Sequence, residues 1–256
     1  MQIFRNLILS ITFLVTTSSH GQIQTISRLR QIIQHLNPSK RNLVIFDIDN
    51  TLLTTPTDLG SDHWLCHHMQ QGLKFQDLAE LYFHIGHKIE LVPTEPDLLQ
   101  TMAEIERNCD HVICLTARSG QIMERTLTQL KLNQLEFHVP EVNHTDLELP
   151  EASHYHEGVL FCGNHNKGAI LNVFLAAIHY QPEQIILVDD KLYNLTAVAK
   201  LVAPEIDFVG LHYLGINQKI ERFNPTQTHQ ELIDFLKTHP FNGFVPSHTK
   251  EQLCTN

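Results

Sequence analysis

The sequence predicts an α/β fold with a mainly parallel sheet flanked by helices. Short apolar runs alternate along the chain with longer segments in which apolar residues recur at helical spacing. Such alternation is typical of βαβ crossovers, which place helices on both faces of a parallel sheet. Several apolar runs end directly in acidic or hydroxyl side chains, as 43–46 does before Asp47 and Asp49. The length of 256 residues fits one domain, or one domain with a small insertion.

The predicted elements follow one another from residue 26. Helical spacing of apolar residues predicts a first helix over 26–36, which Asn37 and Pro38 end. The first strand covers 43–46. Further strands are predicted over 111–115, 159–162, 184–188 and 206–214, with an extended segment over 135–142. Further helices are predicted over 63–83, 96–109, 121–131, 167–178 and 231–237, with another that ends near 202.

The stretch between the first two strands, 51–112, is too long for a simple crossover. We therefore expect a small helical cap inserted at about 54–94, within a domain that covers 22–256. The single tryptophan, Trp64, lies in this insertion. Two roles fit its position, stacking on a bound molecule and packing of the cap on the core.

The first 21 residues have the features of a signal peptide. Arg5 supplies a positive charge, 7–15 is apolar apart from Ser10 and Thr12, and the small residues around 19–21 form a cleavage site. The apolar run is shorter than the roughly 20 residues that span a membrane. We expect an exported protein, periplasmic or secreted, without a transmembrane anchor in the mature chain; an uncleaved anchor or a buried helix remains the alternative.

Composition restricts the kinds of partner and site. The formal net charge of −10 argues against non-specific nucleic-acid binding, which depends on Lys and Arg, although it does not exclude a local basic pocket. The five cysteines include no CxxC pair, so a zinc cage of thiolates is not indicated. Cys114 and Cys162 lie in apolar runs and are expected to be buried, whereas pairing among Cys66, Cys109 and Cys254 stays open.

Polar residues follow three of the predicted strands, and a lysine begins the helix that precedes the third of these. In chain order these residues are Asp47, Asp49, Thr116, Lys167, Asp189 and Asp190. Because the carboxyl ends of parallel strands lie at one edge of a sheet, these side chains are expected to converge. Taken singly, each fits a turn, a helix cap or a solvated charge. Their combination favours a functional site.

The residue types indicate phosphate chemistry. Carboxylates without histidine or cysteine partners form a hard-oxygen site that suits Mg²⁺ and a substrate phosphate. A carboxylate such as Asp47 can attack phosphorus, and a second acid two residues later, Asp49, can protonate the leaving alcohol and then activate water. Thr116 and backbone N–H groups at the following helix start would hold the phosphoryl oxygens.

This arrangement resembles the haloacid dehalogenase (HAD) superfamily, whose four motifs correspond to 47–51 (DIDNT), Thr116, Lys167 and the pair Asp189-Asp190. The resemblance covers roughly 43–214 and implies a Rossmann-like core. It also implies that Asp47 is the nucleophile. Because dehalogenases of this superfamily lack an acid at position 49, the resemblance points to phosphatases.

The resemblance further implies roles for the remaining site residues. Asp49 would be the general acid/base, and its backbone carbonyl would bind Mg²⁺ together with the Asp47 carboxylate. Thr116, Ala117 and Lys167 would hold the phosphoryl group. The pair Asp189-Asp190 would complete the metal site, and which of the two binds the metal directly stays open.

The segment 46–64 looks like that of an uncharacterised group of exported bacterial HAD-like proteins, and in part like that of secreted class B acid phosphatases. Asn50 departs from the latter, which carry an acid there, and this leaves the substrate undefined. The resemblance implies a phosphorylated small molecule or phosphopeptide as substrate. A phosphotransferase with the same intermediate and a non-catalytic binding or effector module remain the alternatives.

Overall fold

The computed structural model describes residues 22–137, 139, 147, 149–163 and 165–246. The predicted signal peptide, Cys254 and part of the extended segment predicted over 135–142 lie outside these residues. Within them, no helix combines the length and the apolar character needed to cross a membrane.

The described residues form a seven-stranded sheet and a separate strand pair. The strands are β1 (Gln22–Ile26), β2 (Asn42–Phe46), β3 (Leu53–Thr54), β4 (Val92–Pro93), β5 (His111–Thr116), β6 (His154–His156), β7 (Val159–Phe161), β8 (Gln184–Asp189) and β9 (Asp207–Tyr213). The large sheet has the order β1-β9-β8-β2-β5-β7-β6, and β3 pairs with β4. Within the large sheet only β6, at one edge, runs antiparallel to its neighbour.

Helices connect and cover the strands. They are α1 (Asp62–Gln70), α2 (Phe75–Lys88), α3 (Leu98–Glu106), α4 (Met123–Leu132), α5 (Lys167–Ala177), α6 (Leu192–Ala199), α7 (Asn217–Glu221) and α8 (Pro225–Thr238), with 3₁₀ turns at Leu29–His35 and Gly120–Ile122. The mainly parallel sheet flanked by helices confirms the predicted fold class.

The central strand β2 is buried on both faces of the sheet. Val44 and Phe46 pack into the apolar cluster on one face, and Leu43 and Ile45 pack into the cluster on the other. Each such fully buried side chain contributes about 1.5–3 kcal/mol to folding. This two-sided burial explains the uninterrupted apolar run that precedes Asp47.

Residues 55–91, which lie between β3 and β4 and carry α1 and α2, form the helical insertion. It packs against α8 through a third cluster, in which Trp64 and Leu81 meet Leu232 and Leu236. Trp64 is 1% exposed and stacks on Tyr82 with ring centroids 6.4 Å apart. This burial excludes stacking of Trp64 on a substrate and assigns it to packing.

Some predicted elements are wrong. The helix predicted over 26–36 is the end of β1 followed by a 3₁₀ turn, because residues 22–26 pair with β9. The helix predicted over 63–83 is divided into α1 and α2, and Gly72, with φ of 94°, lies in the break. The last helix begins earlier than predicted, where the Asn224 side chain accepts hydrogen bonds from the first turn and Pro225 occupies the first position. β3, β4, β6 and α7 were not predicted.

Candidate active site

The predicted strand-end residues meet at the carboxyl edge of β2 and β8. The N–H of Asp47 donates to the carbonyl of Val188 at 2.9 Å, which extends the β2–β8 ladder by one residue. This pairing brings Asp47 beside Asp189, the last residue of β8. Both carboxylates are buried, Asp189 completely.

Lys167 lies between these two carboxylates. Its Nζ donates to Asp47 Oδ1 and to Asp189 Oδ2, each at 2.6 Å, and the residue is 3% exposed. Lys167 is the first residue of α5, whose start is fixed by Asn166: the Asn166 side chain accepts from two backbone N–H groups of the first turn. The helix start therefore determines where the ammonium group lies.

The pKa values of Lys167 and Asp47 are both raised by their surroundings. Burial alone would lower the pKa of Lys167, but the carboxylates of Asp47 and Asp189 outweigh it and raise that pKa, so the ammonium stays charged. Burial raises the pKa of Asp47 well above its usual value, and the nearby acids add to this while Lys167 opposes it. The site therefore holds more buried acid than one lysine neutralises.

Asp189 is held in place by its neighbours along the chain. Its Oδ1 accepts from the backbone N–H of Lys191 at 2.8 Å, and both of its oxygens accept from the Asn194 side chain at 3.0 Å. With Lys167, these donors fix the carboxylate in one orientation. Asp189 is thus preorganised rather than free to rotate.

Three acids are close enough to share a metal ion. Asp47, Asp189 and Asp190 each offer one carboxylate oxygen, and these oxygens lie within 4.8 Å of one another. Burial raises the pKa of Asp190 to about 6, although the adjacent Lys191 opposes the shift. An all-carboxylate set fits a hard divalent cation such as Mg²⁺. Among the described residues, the Asp49 carboxylate is not part of this group of three acids.

Asp49 instead forms a bidentate ion pair with Arg118. Arg118 donates from Nε to Oδ2 at 2.8 Å and from one terminal nitrogen to Oδ1 at 2.7 Å. Its other terminal nitrogen donates to Gln129 Oε1 at 2.7 Å and Thr126 Oγ1 at 3.1 Å. Burial would raise the pKa of Asp49, but the charge and hydrogen bonds of Arg118 outweigh it and lower that pKa. Asp49 is therefore held ionised in this state.

A tight turn after β2 places Asp49. The N–H groups of Leu52 and Leu53 donate to the carbonyl of Ile48, and Asn50 adopts a left-handed φ of 59°. Asparagine tolerates this conformation better than most side chains. The Asn50 side chain also donates to Asp62 at 3.3 Å and thereby links the turn to the helical insertion. Asn50 is the residue that stands where class B acid phosphatases carry an acid.

Thr116 and Ala117 lie at the end of β5. Thr116 is 1% exposed, and its hydroxyl accepts from the backbone N–H of Arg118 at 3.2 Å. Ala117 lines a cavity beside Asp49. The geometry thus gives Thr116 a structural part, since its hydroxyl shapes the turn that carries Arg118.

The cavity has a volume of about 590 Å³ and separates the sheet edge from the helical insertion. Asp49 and Arg118 line the sheet side, and Asp62, Tyr82 and Phe83 line the insertion side. We name it the insertion cavity. Asp49 is therefore accessible from this cavity.

A lysine joins the two sides of the site. Lys191 Nζ contacts Asp190 at 2.9 Å and Asp62 of α1 at 3.2 Å. The helical insertion is therefore tied to the strand end that carries the three-acid group.

Three residues that contact the predicted site residues were missed by sequence reasoning, namely Arg118, Lys191 and Asn194. Asp62 contacts Lys191 rather than a predicted site residue. A signal existed for Arg118 and Lys191, because each is a cation three residues after the end of a predicted strand. Asp62 lies in the insertion, and its contact with Lys191 depends on how the insertion folds back.

Among solved structures, the chain is similar to a hydrolase of the haloacid dehalogenase-like family from Streptococcus pneumoniae. The identity is 11%, the match covers 70% of this chain and 97% of that chain, and the TM-score is 0.40. This likeness is too weak to carry an argument about the site.

Sequence relatives come from Chlamydia, and each is named "Putative outer membrane protein". One from Chlamydia pneumoniae is 26% identical over 192 residues, covering 71% of each chain. One from Chlamydia trachomatis is 25% identical over 193 residues, covering 71% of this chain and 70% of the relative. The family described as protein of unknown function, DUF2608, matches residues 22–238. This chain belongs to that family.

Proposed function

We propose that this protein is an exported, Mg²⁺-dependent phosphatase that hydrolyses phosphomonoesters through an aspartyl-phosphate on Asp47. The observation that carries the proposal is the position of Lys167, which contacts Asp47 and Asp189 at 2.6 Å each at the sheet edge. A buried carboxylate beside a charged lysine and two further acids is an arrangement that suits attack on a phosphate rather than structural support.

The metal would be held by Asp47, Asp189 and Asp190, whose oxygens lie within 4.8 Å of one another. When bound, Mg²⁺ would supply positive charge that offsets the repulsion between the carboxylates and the phosphoryl oxygens. Lys167, the first residue of α5, supplies a further fixed positive charge beside Asp47.

In the first step an Asp47 oxygen attacks phosphorus, and the bond from phosphorus to the leaving oxygen breaks. Asp49 donates a proton to that oxygen, so an alcohol or phenol leaves and the phosphoryl group remains on Asp47. Asp49 then accepts a proton from the water that attacks phosphorus in the second step. Inorganic phosphate leaves, and the Asp47 carboxylate is restored.

The ion pair with Arg118 bears directly on these proton transfers. In the state described here Arg118 lowers the pKa of Asp49, which opposes its role as an acid. Phosphoryl oxygens in the insertion cavity would compete for the same guanidinium. We expect Arg118 to move its hydrogen bonds towards the phosphate, so that the pKa of Asp49 rises as the substrate binds.

Export is the part of the proposal that rests on the N-terminal segment. Residues 1–21 have the charge and apolar pattern of a signal peptide. The relatives in Chlamydia carry the name "Putative outer membrane protein", which supports a location outside the cytoplasm for this chain as well. Detection of the protein in fractionated cells, with its N-terminus sequenced, would test this part.

The activity is tested with p-nitrophenyl phosphate, Mg²⁺ and the Asp47→Asn variant. We expect at least about 100-fold lower kcat/KM for the variant, because the amide cannot act as the nucleophile. Asp234→Asn, which changes an exposed acid on α8, is the matched control and should keep full activity. Full activity in Asp47→Asn would refute the proposal. Added alcohols separate hydrolysis from phosphoryl transfer, since a transferase would yield a new phosphate ester.

A further inference from the structure

We infer that the insertion cavity selects phosphomonoesters whose leaving group carries an aromatic ring. The inference rests on the proposed function for the identity of the reaction, and it adds the class of substrate. It comes from the walls of the cavity, which combine exposed aromatic rings with few charges.

The position and size of the cavity fit a leaving group. Asp49, the proposed proton donor to the leaving oxygen, and Arg118 line one side, so the leaving group would lie in the cavity. The volume of about 590 Å³ lies within the range of ligand sites, roughly 300–1,000 Å³. A methyl or glycerol group would leave most of this space to water.

Aromatic side chains of α2 form the facing wall. Phe75 and Phe83 pack edge to face with ring centroids 6.4 Å apart, and Tyr82 lies against Phe83 at 6.0 Å. Phe75 and Phe83 remain 41% and 47% exposed although both are large and apolar. Apolar rings that line a cavity beside a reactive carboxylate gain most from a ring-bearing ligand, through stacking and removal of water.

The charges around the cavity argue for a neutral leaving group. Among the described residues that line it, the permanent cations are Arg118 and Arg125, and lysine is absent. Arg118 is committed to Asp49 and the phosphoryl group. Arg125 donates to the carbonyl of Ile89 at 2.8 Å. A second phosphate on the substrate would therefore find little fixed positive charge.

Gly86, in the α2 wall of the cavity, leaves space that a side chain could fill. A Cβ added at Gly86 meets no heavy atom within 4 Å, and the residue lines the cavity. Glycine is unfavourable in a helix interior relative to alanine, so Gly86→Ala should fold at least as well as the native protein. A larger side chain at this position narrows the cavity without entering the core.

The kinetic test compares ring-bearing with ring-free substrates across matched variants. Phenyl phosphate, phosphotyrosine and a nucleoside 5′-monophosphate form the first group, and glycerol 3-phosphate forms the second. We expect Phe83→Ala and Gly86→Leu to lower kcat/KM about 10-fold for ring-bearing substrates and less than 2-fold for glycerol 3-phosphate. Gly86→Ala should change neither. Loss confined to phosphotyrosine or to the nucleotide would identify which ring source the cavity fits.

A binding test separates this inference from the proposed function, because no bond breaks in it. Phenylphosphonate should bind the native protein with Mg²⁺ at least 10-fold more tightly than methylphosphonate, as measured by calorimetry. If this preference is found but no substrate is turned over, the proposed phosphatase activity is refuted and the inferred class of ligand stands. Equal binding of the two phosphonates, or equal kinetic losses for both substrate groups, would overturn the inference even if the protein is a phosphatase.

Discussion

Replacement of Lys167 by methionine tests whether the ammonium group compensates the buried acids. Lys167, Asp47 and Asp189 are 3%, 6% and 0% exposed, and each ion pair is 2.6 Å long. At an effective dielectric constant of about 20, one such pair is worth about 6 kcal/mol before desolvation is subtracted. Because methionine fits a similar volume, the variant removes charge with little loss of packing.

The expected net loss is about 3–5 kcal/mol in the free energy of unfolding, since two buried carboxylates remain without their cation. For a domain of this size that loss lowers Tm by roughly 6–20 °C. Differential scanning calorimetry of the metal-free protein at neutral pH measures it. Adding Asp189→Asn to Lys167→Met should recover part of the stability, because one of the uncompensated charges is then removed.

Lys237→Met is the matched control for this experiment. Lys237 also pairs with an aspartate, Asp234 at 3.1 Å, but both side chains are about half exposed, at 49% and 59%. An exposed pair contributes about 0–1 kcal/mol, so the control should shift Tm only slightly. If Lys167→Met unfolds within 2 °C of this control, the buried triad does not need the lysine and the reasoning is refuted.

Three further predictions follow from the same geometry. Mg²⁺ at 100 times its dissociation constant should stabilise the native protein by about 2.7 kcal/mol in a thermal melt. An equal gain in the Asp189→Asn variant would show that Asp189 does not bind the metal. Trp64→Ala should lower the free energy of unfolding by about 3–5 kcal/mol because Trp64 is 1% exposed, whereas Phe83→Ala, at 47% exposure, should leave Tm nearly unchanged. Equal Tm values for the two variants would contradict the packing role of Trp64. Arg118→Met should raise the pKa of Asp49, because Arg118 now lowers it, and so move the alkaline limb of the kcat/KM–pH profile, where the acid of the first step loses its proton, to higher pH; an unmoved alkaline limb would exclude Asp49 as that acid.

The alternation of apolar runs and helical segments was sufficient to predict the fold class. Strands buried on both faces, such as β2, must be apolar throughout, and this leaves a visible pattern. The pattern failed where a short segment had no such burial. Of residues 22–26 at the sheet edge only Ile26 is buried, and their pairing with β9 makes them a strand.

The helical insertion shows a second limit of sequence reasoning. Its length was readable because 51–112 exceeds a simple crossover. Its contacts were not readable, since Trp64 packs on Leu232 and Leu236 from the other end of the chain. Periodicity reports that a helix has an apolar face, but it does not report which surface that face meets.

The sequence by itself determined which residues stand at the strand ends. Asp47, Lys167 and Asp189 are polar groups placed where buried elements begin or end, and the parallel sheet aligns those ends at one edge. Only the tertiary structure decided the partner of each charge. Lys167 inserts between two acids, while Arg118 takes Asp49, because side-chain direction and distance depend on how β2, β5, β8 and α5 pack together.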